Sequence, residues 1–106
     1  MTLVQAVGSD WCGPIVDTGY FKTPDPYVDI ALVAPHALNR QIKQSPWRED
    51  SEVPTDLNKL MRIIRKSGYN GYLSIETLSP KGKLYDPFTV IPAFAAQLRA
   101  AIKATA

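Results

Sequence analysis

The chain has 106 residues, the size of one compact domain. Its 12 Lys and Arg against 10 Asp and Glu give a net charge of +2, too small and too scattered for the basic stripe that nucleic acid requires. The 45% hydrophobic and 21% charged fractions are those of a folded chain. No apolar run approaches the roughly 18 residues of a membrane span, and Met1 to Gly8 has no basic region before its apolar residues. A cytoplasmic protein with no nucleic-acid or membrane partner is the expectation. The single cysteine, Cys12, excludes an internal disulfide framework and a cysteine-built zinc site.

In chain order, Met1 to Val7 reads as the end of a helix closed by Gly8. Pro14 to Thr18 reads as a first strand. Asp25 is an N-cap with Pro26 at the first position of a short helix, Pro26 to Val33, which stops at Ala34-Pro35 because proline disfavours helix in the residue before it. Ala37 to Lys43 reads as a second strand. The stretch from Ser45 to Pro54 reads as the longest irregular loop. Thr55 is the expected N-cap of the next helix, with Asp56 in its first turn, Leu57, Leu60, Met61 and Ile64 as its apolar stripe and Gly68 as its C-terminal cap. Gly71 to Glu76 reads as a third strand. The last helix carries Ile91, Phe94, Ala95, Leu98, Ala101 and Ile102 on one face, and Pro92 predicts that its continuous part starts near Ile91. Strands alternating with helices predict an α/β fold of three βα units with parallel strands.

Parallel strands covered on both faces are nearly all apolar, and these are not. Side chains alternate along a strand. Ile15 and Asp17 share a face, as do Asn39, Gln41 and Lys43, and as do Tyr72, Ser74 and Glu76. Each strand therefore ends with a polar or ionisable group pointing the same way, at the end where repeated βα folds build their sites. A buried, unpaired charge is costly. Two readings satisfy these groups. The two carboxylates and the amide oxygen are hard ligands suited to Mg²⁺ or Mn²⁺, or Lys43 and the carboxylates form an ion pair that satisfies itself.

Three segments then carry a resemblance: Asp17-Thr18-Gly19-Tyr20-Phe21, Asn39-Arg40-Gln41-Ile42-Lys43, and Gly68-Tyr69-Asn70-Gly71-Tyr72-Leu73-Ser74-Ile75-Glu76. In order and spacing they resemble successive motifs of the xylose isomerase-like TIM barrel superfamily, in its sugar phosphate isomerase/epimerase group, which includes tagatose-type 3-epimerases and inosose dehydratases. The resemblance implies a divalent metal, Mn²⁺, Mg²⁺ or Co²⁺, with Asp17, Gln41 and Glu76 as ligands. It implies Glu76 as acid/base and Lys43 as a second catalytic group. Tyr20 stands where epimerases often have a substrate-contacting histidine, and Gln41 stands at a His/Gln position. Trp47 and Arg48, just after the ligand strand, are placed to cover a sugar or sugar-derived substrate. The first Glu ligand of the family comes from an upstream strand.

A complete barrel has eight βα units in about 250 residues. The match is to the C-terminal part alone, approximately the sixth to eighth strands. Three strands cannot close a barrel, so the outer two leave open edges, and Ile15 and Tyr72 are expected on a face meant for other strands. The chain is thus expected to be inactive alone and to associate with a second copy or with the remainder of a barrel. The alternatives are a self-associating module without catalysis and a dehydratase of the same superfamily. His36 reads as structural or surface, Cys12 as a small buried residue, Arg62, Arg65 and Lys66 as a solvated helix end, and Gly19 as permitting an unusual backbone. Tyr69, Phe88 and Phe94 read as packing.

Overall fold

The computed structural model describes residues 2–45, 47–48, 51–78 and 84–106. Helix α1, Thr2–Val7, leads into strand β1, Ile15–Asp17. Helix α2, Pro26–Val33, runs into a single 3₁₀ turn, Ala34–His36, and then β2, Asn39–Lys43. A short antiparallel pair follows, β3, Trp47–Arg48, and β4, Ser51–Glu52. Helix α3, Leu57–Lys66, β5, Ser74–Glu76, and α4, Pro87–Ala104, complete the order. The main sheet has the order β1-β2-β5 and every pairing in it is parallel. The βα alternation expected from the sequence is therefore the architecture.

Local chemistry sets the helix ends. Asp25, Asp56 and Asp86 each accept a backbone N–H from the first turn of α2, α3 and α4. Asp56 takes the N-cap role expected of Thr55, because the Thr55 hydroxyl is committed elsewhere: it donates to Lys43 O at 2.6 Å. Helix α4 starts at Pro87 and not near Ile91. Pro92 lies inside the helix at an exposed position, where it removes one helical N–H. Gly8 and Gly68 both sit at positive φ, 58° and 75°, where a helix end turns left-handed.

The strands alternate as a pleated sheet must. Val16, Ile42 and Ile75 point toward the helices, and Val16 and Ile42 pack in one core with Ile30 of α2, Leu60, Met61 and Ile64 of α3, and Phe94, Leu98 and Ala101 of α4. Each of these side chains but Ala101 contributes about 1.5–3 kcal/mol by leaving water. The stripe on α4 is narrower than expected, since Ile91 and Ile102 are exposed. Phe88 is not packing either, being 89% exposed.

Arg40 shares the covered face and is 2% exposed. Its guanidinium donates to Ala34 O at 2.5 Å, Ala37 O at 2.9 Å and Ser67 Oγ at 3.3 Å, and lies 3.5 Å from the centroid of the Tyr69 ring. It clasps the 3₁₀ turn to the end of α3. Burial pulls its pKa down, against an opposing pull from Tyr69.

Among the described residues no helix is packed on the opposite face of the sheet. Ile15 is 61% exposed on it, and Asn39 and Ser74 are exposed beside it. Tyr72, expected on this face, precedes β5 by two residues, is 93% exposed and borders a cavity on the helix side instead. Both edges of the sheet, at β1 and β5, lack a neighbour among the described strands. The stretch from Ser45 to Pro54, expected to be irregular, contains the β3–β4 pair. It is tied at its base by Thr55 N–H donating to Gln44 O at 2.8 Å.

Candidate functional site

The register brings the expected residues together on the open face. Asp17 stands level with Gln41, and Gln41 with Ser74. One step up the sheet, Lys43 stands level with Glu76. Asp17, Gln41, Lys43 and Glu76 thus occupy one patch at the C-terminal ends of three parallel strands.

Lys43 is its centre. The ammonium lies 3.3 Å from Asp17 Oδ2 and 3.6 Å from Glu76 Oε1. The residue is only 7% exposed. Its Nζ also lies 4.1 Å from the centroid of the Tyr20 ring. Burial pulls the Lys43 pKa down, but the Asp17 charge and hydrogen bond, with the Glu76 charge and Tyr20, outweigh burial and leave it raised. Lys43 thus forms ion pairs with both carboxylates.

The turn after β1 builds the near wall. Gly19 N–H donates to Asp17 Oδ1 at 2.9 Å, which leaves Oδ2 turned to Lys43. Thr18 is 1% exposed. Its N–H donates to Gln41 O at 3.0 Å, and its hydroxyl accepts Lys43 N–H at 2.9 Å, so the turn is stitched to β2. Gly19 is required for a reason other than the one expected. It has no positive φ; instead a Cβ there would run into Lys43 Cδ and lie 3.2 Å from Cγ and 3.3 Å from Cε. The glycine makes room for the lysine arm.

Tyr20 joins the patch as expected, although through Lys43 and with its ring 63% exposed. The backbones of Trp47 and Arg48 form β3 immediately beyond β2, while their side chains lie outside the described residues. His36 is exposed in the 3₁₀ turn, remote in register from the patch, and Cys12 is half-buried and free. Thr18 and Thr55 fix the two ends of the Lys43 backbone, whereas the sequence pattern places Thr55 at a helix cap and Thr18 at the end of a strand. The visible signal was a threonine beside each end of a strand that carries a buried lysine.

The donor set suits a hard cation in kind: two carboxylates and an amide oxygen. Among the described residues no three His, Cys, Asp or Glu side chains cluster as ligands, so Gln41 would have to be the third. The Lys43 ammonium stands between the two carboxylates. A separate cavity of about 380 Å³ lies on the helix side, bounded by Tyr69, Leu73, Leu98 and Arg99, and none of the four patch residues lines it. Among the described residues no helix is long and apolar enough to cross a membrane. No protein-family model, curated protein or solved structure matches the chain.

Proposed function

We propose that the chain forms the C-terminal strands of a metal-dependent sugar isomerase/epimerase-like barrel, with the Asp17, Gln41, Lys43 and Glu76 patch as its part of the active site. One observation supports this above the rest: four polar residues converge at the C-terminal ends of three parallel strands, on a face that none of the described helices covers. That face is the one a barrel would turn inward. The exposure of Ile15 on that face is what strands awaiting neighbours leave. On this reading the chain is inactive alone, because the walls that enclose a substrate come from the other strands.

Asp17, Gln41 and Glu76 are the residues that would hold a divalent ion, Mn²⁺, Mg²⁺ or Co²⁺, whose chemistry is to polarise a carbonyl as a Lewis acid. The chain's own groups do the rest. Glu76 accepts the proton from the carbon beside the carbonyl, and the C–H electron pair moves to form the enediolate. In an isomerisation Glu76 then returns the proton to the neighbouring carbon; in an epimerisation a second acid, carried by the other strands, protonates the same carbon from the opposite face of the enediolate. Lys43 offers its ammonium to the developing negative charge. Tyr20 flanks Lys43 on the side where a sugar or sugar derivative would lie. A dehydratase would use the same base and the same ligands.

Solvent exchange tests this reading. The barrel completed by its upstream strands is incubated with Mn²⁺ and ketoses in D₂O, and ¹H NMR follows the proton beside the carbonyl. Exchange is expected, and Glu76→Gln or Asp17→Asn abolishes it. Exchange that survives Glu76→Gln overturns the assignment.

A second reading has its own support: Lys43 already satisfies both carboxylates, and Ile15 offers apolar surface on the same face. In that case the chain is a self-associating module. A discrete oligomer by light scattering, unchanged by chelator and silent in the exchange experiment, would favour it.

A further inference from the structure

The two carboxylates assigned above to a divalent ion already hold a cation, and they hold it tightly in space. Asp17 has one carboxylate oxygen engaged by Gly19 N–H at 2.9 Å. The oxygen left over, Oδ2, is the one that faces the Lys43 ammonium at 3.3 Å. Glu76 turns Oε1 to the same ammonium at 3.6 Å. The lysine is not a loose surface arm: its backbone is fixed at both ends by Thr18 and Thr55, and its stem lies where a Gly19 Cβ would otherwise be.

We infer that Lys43 is a built-in competitor for the metal, so that a divalent ion enters this site only by displacing the Lys43 ammonium from Asp17 and Glu76. This rests on the metal-dependent reading above. The competition is for the same oxygens, since Asp17 Oδ2 and Glu76 Oε1 are the ones turned toward the ammonium while Asp17 Oδ1 already accepts Gly19 N–H. Two cations sharing that pair would repel each other strongly at these distances. The way out for the ammonium is toward the open face, past the ring of Tyr20, which is 63% exposed. Metal arrival and the freeing of Lys43 are then a single event. Clamped, the ammonium is spent on carboxylates. Released, it faces the substrate side of the sheet and is available to an oxyanion. Lys43 is thus a positioning residue for the metal before it is a partner of the substrate.

The test is Mn²⁺ affinity of the 106-residue chain, read from the electron paramagnetic resonance of free Mn²⁺. Lys43→Met removes the ammonium. Gly19→Ala keeps it but forces the stem out of its channel, and guards against the first variant failing to fold. Both variants are expected to bind Mn²⁺ more tightly than the unaltered chain, Lys43→Met by about tenfold or more, the scale on which groups around a metal site tune affinity. Mn²⁺ should also raise the Tm of Lys43→Met by more than it raises that of the unaltered chain. Equal affinity in all three proteins, with binding lost in Glu76→Gln, overturns the competition and leaves the metal reading standing. Weaker binding in Lys43→Met overturns it likewise, by making Lys43 a supporter of the site. Absence of Mn²⁺ binding in all of them, Lys43→Met included, overturns the competition, while the metal reading stands or falls separately on the exchange experiment with the completed barrel.

Discussion

Strand β2 carries two buried cations, one on each face of the sheet, and they are held in opposite ways. Arg40, on the helix-covered face, is met by carbonyl oxygens, a hydroxyl and an aromatic ring. Lys43, on the open face, is met by two carboxylates and the ring of Tyr20. Neutral dipoles from the backbone cannot leave, and they make a permanent clasp. Carboxylates at a strand end can trade one cation for another. The difference teaches which face serves the fold and which face is available for chemistry.

The covered face should break first and hardest. Leu60 is fully buried among α3, α4 and the sheet. Leu60→Ala is expected to cost about 3–4 kcal/mol by urea unfolding, the range for a large-to-small change in a packed core. Arg40→Met comes next. It leaves the Ala34 and Ala37 carbonyls without their donor and removes the contact with Tyr69, for a loss of about 3 kcal/mol. A loss below about 1 kcal/mol for Arg40→Met would mean that water replaces the guanidinium, and the contrast between the two cations would fail.

The open face should be gentler and depend on pH. Lys43→Met is expected to cost about 1 kcal/mol near neutral pH, because Asp17 is little exposed but Glu76 is about one-third open to water. The Lys43 pKa is raised in the folded state, so its ion pairs contribute in full below its ordinary value of 10.5. That contribution fades as pH climbs through the raised value. The stability difference between the unaltered chain and Lys43→Met should therefore shrink above pH 10.5. Urea titrations of the pair, subtracted to cancel all other groups, measure it. Tyr20→Leu has the smallest effect, about 0.5 kcal/mol, from the loss of the ring beside the ammonium.

Much of this was legible in the sequence because period and capping are local. Asp25 followed by Pro26 starts a helix in any context, and the stripe of Leu60, Met61 and Ile64 needs a core. The convergence of Asp17, Gln41, Lys43 and Glu76 was legible too, since a period of two fixes faces once strands are parallel. What escaped depends on partners distant in sequence. The Thr55 hydroxyl is drawn away from its helix by Lys43 O. Gly19 is a matter of room for a lysine on another strand, which no local pattern records. Arg40 looked like one more polar strand residue, because its partners are backbone carbonyls that every sequence has. The β3–β4 pair was hidden in a polar stretch with no apolar alternation to mark it.

The claim that the open face is the working face is tested most directly by paramagnetic broadening of the ¹⁵N-labelled chain. Mn²⁺ is added in small steps while amide signals are followed. The account predicts that Gly19, Lys43 and Glu76 broaden first, while Leu98 and Ala101 of α4 on the far side stay sharp. Broadening that begins on the helices, or that touches every residue equally, would contradict it.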